Sequence, residues 1–107
     1  MENKSAAFDF DINEIHRDEN GNPLNGTRIS EDKKIIYRFR NGMLDGDIFS
    51  ESGKFLMQKP AIETSGHIEY RRKNLLHREN GLPAVSAKGF AKREYWINGI
   101  RQPDKEE

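Results

Sequence analysis

The chain has 107 residues, enough for one domain and hardly for two. Lys plus Arg and Asp plus Glu both total 18, so the formal charge is zero and no global field drives binding to nucleic acid or membrane. Hydrophobic and charged residues each make up 34%, a balance poor in core material, and the absence of cysteine excludes disulfide staples, thiolate nucleophiles, zinc ribbons and iron–sulfur sites.

A domain of this size without staples is expected in a reducing, cytoplasmic setting. Met1 to Ser5 leads into no apolar stretch, and the longest apolar runs are three residues, so neither a signal peptide nor a membrane span is expected. In chain order, Phe8, Phe10 and Ile12 alternate with Asp9, Asp11 and Asn13, the two-residue period of a strand with one wet face. Ile35, Tyr37 and Phe39 share one face of the next clear strand, with Arg38 and Arg40 on the other. Short apolar runs follow at Ile48-Phe49, Phe55-Leu56-Met57, Ile62, Ile68-Glu69-Tyr70, Val85 and Tyr95-Trp96-Ile97. Turn formers separate them, among them Asn41-Gly42, Ser52-Gly53, Asn80-Gly81, Lys88-Gly89 and Asn98-Gly99. Asn and Gly tolerate the positive φ of tight hairpin turns. No amphipathic helical stretch interrupts the series.

The spacing is regular. Residues 26–34 (GTRISEDKK) align with 46–54 (GDIFSESGK) at an offset of 20, and 60–66 (PAIETSG) with 83–89 (PAVSAKG) at an offset of 23. His16-Arg17-Asp18 recurs in kind as His77-Arg78-Glu79, with Asn-Gly following after Glu19 in the first and directly in the second. Such a period is one hairpin per repeat. The predicted fold is therefore all-β, an antiparallel meander of repeated β-hairpins forming an elongated twisted sheet. It is expected as a single domain over 1–107: an acidic N-terminal strand and turn (1–25), hairpin repeats (26–101) and a charged tail (102–107).

Residues 37–46 (YRFRNGMLDG), 76–84 (LHRENGLPA) and 94–99 (EYWING) resemble the MORN-like β-hairpin repeat proteins of bacteria and phages, which include a family of MORN-like antitoxins. The resemblance covers roughly residues 15 to 101. It implies a repeat scaffold used for contacts, with no fixed activity.

Catalytic and metal-binding patterns are sparse. No Gly-x-Ser-x-Gly elbow is present, and Ser52 and Ser65 each precede a glycine in an expected turn. His67-Ile68-Glu69 mimics the His-x-Glu of zinc deaminases without the cysteine ligands that chemistry requires. His16, His67 and His77 have no ligand-pair spacing. Asp9, Asp11 and Asn13 start like a calcium loop, but Glu14 stands where the glycine and Asn20 where the bidentate Glu is needed. No metal or cofactor is expected.

Charge is informative by segment. Residues 1–20 carry a net −4, whereas residues 71–101 hold eight bases against Glu79 and Glu94. The basic half carries Tyr70, Tyr95 and Trp96 among its arginines, the side chains most enriched at interface hot spots. A single-layer sheet also leaves one face under-covered, so Trp96, Tyr70 or Tyr95 is expected to pack against a second copy, a partner or another part of the chain. The sequence thus reads as a non-enzymatic protein-binding module: an antitoxin, immunity protein or phage-encoded anti-defence inhibitor. Its partner would be a toxin, an effector or a defence enzyme, and a homodimer is a further expectation. The expected partner-binding residues are Tyr70, Arg71, Arg72, Arg93, Tyr95 and Trp96. A nucleic-acid-binding protein using the basic half is the alternative, and a small hydrolase using His16 or His77 is the third reading.

Overall fold

The computed structural model describes residues 5–87 and 92–103. The described chain is all β, in thirteen short strands joined by tight turns. The main sheet is antiparallel in the order β1 (Gly26–Ile29), β2 (Ile36–Arg40), β6 (Ile62–Thr64), β7 (His67–Glu69), β10 (Val85–Ala87) and β11 (Lys92–Glu94). The remaining strands form short hairpins. β3 (Met43–Leu44) returns along β2, β4 (Asp47–Phe49) pairs with β5 (Phe55–Gln58), β8 (Arg71–Arg72) with β9 (Leu75–Leu76), and β12 (Trp96–Ile97) with β13 (Ile100–Arg101). β2 pairs with β6 across the β3–β5 excursion, so short hairpins branch from the antiparallel path. The body measures 46 × 34 × 24 Å.

One construction recurs three times. A strand runs through a junction residue (Arg38, Tyr70 or Tyr95), then reverses at a two-residue turn. Both turn residues have positive φ: Asn41 and Gly42 (53° and 80°), Lys73 and Asn74 (52° and 73°), Asn98 and Gly99 (49° and 81°). That is the demand of a type I′ hairpin turn, whose twist matches that of the strands it joins. The carbonyls of Arg38, Tyr70 and Tyr95 accept the N–H groups of Asp45, His77 and Gln102 respectively. The hairpins also stack, since Gly42, Asn74 and Gly99 donate their N–H groups to the carbonyls of Leu24, Leu44 and Leu76. The offset of 20 corresponds to a shared loop. Ser30 and Ser50 each accept the amide four residues on through the side-chain oxygen (3.2 and 3.0 Å). The expected turn at Lys88-Gly89 lies outside the described residues.

Residues 5–14 depart from the predicted strand. They have no ladder partner and run as a strap across the sheet. The reason lies in a register row. Tyr37, Ile62, Glu69, Val85 and Glu94 stand opposite one another on five adjacent strands and project from one face. Glu69 and Glu94 are 0% and 1% exposed. Their carboxylates accept the main-chain N–H groups of Phe8 and Ala6. Glu94 also accepts the Ser5 hydroxyl (2.6 Å) and the Trp96 indole N–H (2.9 Å). Arg71 returns the contact, donating from Nη2 to the Phe8 carbonyl at 3.1 Å while its Nε holds Glu69 at 2.8 Å. Asn74 anchors the far end through the carbonyls of Ile12 and Glu14. The aromatic side chains then close the core. Phe8 stacks on His67 with centroids 4.2 Å apart, and Phe10 packs edge-on to Tyr37. Both lie against fully buried Leu44, Ala61 and Ile62. The expected cover for the open face is thus supplied by the chain's own N-terminal segment, and Trp96 meets it through Glu94.

A Cβ on Gly46 would lie 1.7 Å from the Lys59 carbonyl oxygen, a backbone atom that cannot swing aside. Gly46→Ala is expected to abolish cooperative unfolding or lower stability by more than about 3 kcal/mol. Gly53→Ala meets no atom within 4 Å at a φ of 92°, and so costs only about 1 kcal/mol of left-handed backbone strain. Burial works against the Glu94 charge, but Ser5, the Ala6 amide, Trp96 and Arg101 outweigh it and hold the carboxyl below its ordinary 4.5. A carboxylate with a depressed folded pKa contributes stability that is present above its unfolded value and lost as pH falls through the folded one. Acid titration below about pH 4.5 is therefore expected to weaken the fold progressively. Glu94→Gln should flatten that dependence in denaturant melts, while an unchanged acid limb would count against the assignment.

Candidate interaction groove

Successive residues of a strand point to opposite faces, and that alternation divides the site candidates. Glu69 and Arg71 lie under the strap, whereas Arg72 emerges on the other face. There the β4–β5 hairpin leans over β8 and the loop after β9, and two adjoining clefts of about 400 and 210 Å³ open between them. Phe55, Arg72 and Glu79 line both, with Arg40, Phe49 and Lys73 at one end and Met57, Arg78 and Leu82 at the other.

The groove joins stacked cations to bare apolar surface. The Arg40 guanidinium sits 4.0 Å above the Phe49 ring, Arg72 5.7 Å from Phe55, and Arg78 3.8 Å from Tyr70. Each stacking fixes a long flexible side chain, and Arg72 and Arg78 are held further by bonds to Asp47 and Glu79 and to the Pro83 carbonyl. On β5, Phe55, Leu56 and Met57 are 43%, 56% and 49% exposed in succession, and Leu82 across the cleft is 44% exposed. Three consecutive apolar residues leave no polar face on that strand. The register slips between Ile48 and Phe49, so Leu56 is the extra residue of a bulge and turns outward.

The acids are held from within. Asp45 accepts the amides of Asp47 (2.9 Å) and Lys73 (3.1 Å); burial still pushes its carboxyl above the ordinary value, with the Asp47 charge adding to the rise. Asp47 is gripped by Arg72 Nε at 2.6 Å. Burial opposes the Arg72 charge, but Asp47 and Glu79 outweigh it and keep the guanidinium firmly protonated. His77, 3% exposed, accepts the Asn98 amide at Nδ1 (2.9 Å). Its Nε2 lies 3.0 Å from Arg72 Nη1 and 3.3 Å from the Glu79 carboxylate. Bonds from His77 and Arg72 hold the Glu79 carboxyl below its ordinary range. Both ring nitrogens of His77 are thus engaged by partners within the fold. His16 packs between Phe10 and Phe39, and His67 bonds Glu69. Among the described residues no cluster of three His, Cys, Asp or Glu could hold a metal ion.

The six residues singled out from sequence are therefore not one patch. Arg71 is 3% exposed and fully engaged by Glu69, Asn74 and Phe8, so it belongs to the interior. Trp96 is half-buried on the strap side with its indole N–H on Glu94. Arg72 lines the groove, Tyr70 lies behind it against Arg78, Tyr95 is half-buried, and Arg93 is exposed. Sequence reasoning passed over Phe55, Leu56, Met57 and Leu82, although the unalternated Phe55-Leu56-Met57 run was the signal available. No protein-family model matches the chain, and neither a curated protein nor a solved structure matches it. No helix of the described residues is long and apolar enough to cross a membrane.

Removing Arg72 leaves the nearly buried Asp47 carboxylate without its ion pair. Arg72→Ala is expected to lower stability by about 2 kcal/mol in urea unfolding, whereas exposed Arg93→Ala should stay within about 0.5 kcal/mol of the parent. Equal effects would show that the Asp47 pair carries no structural weight.

Proposed function

We propose that the chain is a non-enzymatic protein-binding module that neutralises or inhibits another protein, and that it takes its partner on the groove beside β5. One observation carries the reading: the β4–β5 hairpin fills the longer of two corresponding connections, as an insertion would. The link from return strand to the Pro-Ala-Ile or Pro-Ala-Val strand runs from Asp45 to Pro60 in one instance and from His77 to Pro83 in the other. The longer link holds the hairpin, and that hairpin carries the exposed apolar triplet. In stacked β architectures such insertions commonly build the binding face. Lys54 and Lys59 flank β5, with Lys73 exposed nearby, so the surface suits a partner with an apolar centre and an acidic rim. The resemblance to MORN-like repeat proteins, antitoxins among them, favours the same inhibitor class, and a toxin, effector or defence enzyme in the cytoplasm is the partner proposed. Nucleic-acid binding is less favoured, because Arg71, Arg72 and Arg78 of the basic half are already committed within the fold.

The test starts from partners recovered with the tagged protein from its host, identified by mass spectrometry, purified and titrated. Leu56→Asp with Met57→Asp is expected to weaken binding at least about 30-fold while the β circular dichroism is kept. Arg93→Ala should leave affinity within about twofold. Unchanged affinity in the double variant would remove the groove, and binding of DNA or RNA that falls steeply with salt would favour the alternative.

A further inference from the structure

The strap side raises a question that is independent of the groove. Residues 5–10 are bound to the sheet as a ligand would be. No ladder holds them; instead, two carboxylates two strands apart accept alternate main-chain N–H groups, and an arginine donates to the carbonyl between strap and sheet. The side chains of Phe8 and Phe10 enter the aromatic bed of His67, Tyr37 and His16, while Asp9 and Asp11 point to solvent. Beside the strap, a further cleft of about 400 Å³ opens towards Leu75, Leu76 and Trp96. Asn74 grips the strap at Ile12 and Glu14, and His16 just beyond is tied by backbone bonds to Gly42 and Leu24, so a pivot is fixed while residues 5–10 depend on side chains of the sheet.

We infer that the Glu69–Val85–Glu94 row is a binding site for extended peptide, and that residues 5–10 are its built-in occupant. The ligand class is set by what the row reads. It is an extended segment with free N–H groups two residues apart, small side chains over Glu94, and aromatic side chains at alternate positions. Proline at either N–H position is excluded, because it has no proton to give. The occupant in cis competes at an effective concentration on the order of millimolar, so a segment in trans binds well only when the strap is loosened.

The full chain carrying Phe8→Ser and Phe10→Ser tests this, titrated with a synthetic peptide of residues 5–14. Trp96, the single tryptophan, reports through its bond to Glu94. A saturable change in its emission is expected, at least about tenfold tighter than in the unsubstituted chain. The same peptide with Ala6→Pro should bind about tenfold more weakly or worse, and adding Glu94→Gln to the protein should do the same. Equal affinity for loosened and unsubstituted chains, or indifference to both changes, overturns the inference, as does a flat titration of a variant that keeps its β spectrum. If the variant does not fold, native-state hydrogen exchange of the unsubstituted chain decides. The Ala6 and Phe8 amides are expected to exchange through a local opening, faster than the amide of Ala61; exchange of all three at the global rate overturns it.

Discussion

Glu69 and Glu94 are carboxylates without access to water, and an ionised group in that position must be met by donors or the fold fails. Neither is met by the sheet alone. Arg71 and His67 reach Glu69 and Trp96 reaches Glu94, but each carboxylate still takes a main-chain amide of the strap. Charge-assisted bonds to main-chain amides contribute about 1.5 to 3 kcal/mol each, enough to hold an extended segment that has no ladder. The same two contacts bring Phe8 and Phe10 over Leu44, Ala61 and Ile62. A sheet with few apolar residues thereby acquires a second layer made from ten residues of the same chain.

That arrangement leaves the opposite face available. The three-fold hairpin construction needs only short connections, as the link from His77 to Pro83 shows, and the longer link at Asp45 to Pro60 adds a hairpin that the core does not require. Its apolar side chains stay outside while Arg40, Arg72 and Arg78 are pinned on rings beside them. Pinned guanidiniums and bare aliphatic surface are a preorganised combination, since little side-chain freedom is left to lose on contact. The proposal of a partner-binding module rests on this division between a face closed by the chain itself and a face left open.

Much of the architecture was legible in the residue order. Asn41-Gly42 and Asn98-Gly99 marked two of the three type I′ turns, and the 20-residue offset marked the Ser30 and Ser50 loops, because turn chemistry is local and needs no tertiary knowledge. The strap was misread for a physical reason. Phe8, Phe10 and Ile12 alternate as a strand would, but alternation reports only that one side of an extended segment is buried; it does not say whether backbone partners come from a neighbouring strand or from side chains. The clue lay in Glu69 and Glu94, each standing immediately before the repeated tyrosine. Arg71 and Arg72 looked equivalent in sequence, yet alternation sends one inside and one to the groove. The groove itself was illegible because it depends on which loop is longer.

The most direct measurement of the central claim is the proton chemical shift of the Ala6 and Phe8 amides. Hydrogen bonds to carboxylates shift amide protons downfield. Both are expected there in the intact chain, with Ala6 moving upfield in Glu94→Gln and Phe8 in Glu69→Gln. Random-coil shifts for both amides, unmoved by either substitution, would contradict the account.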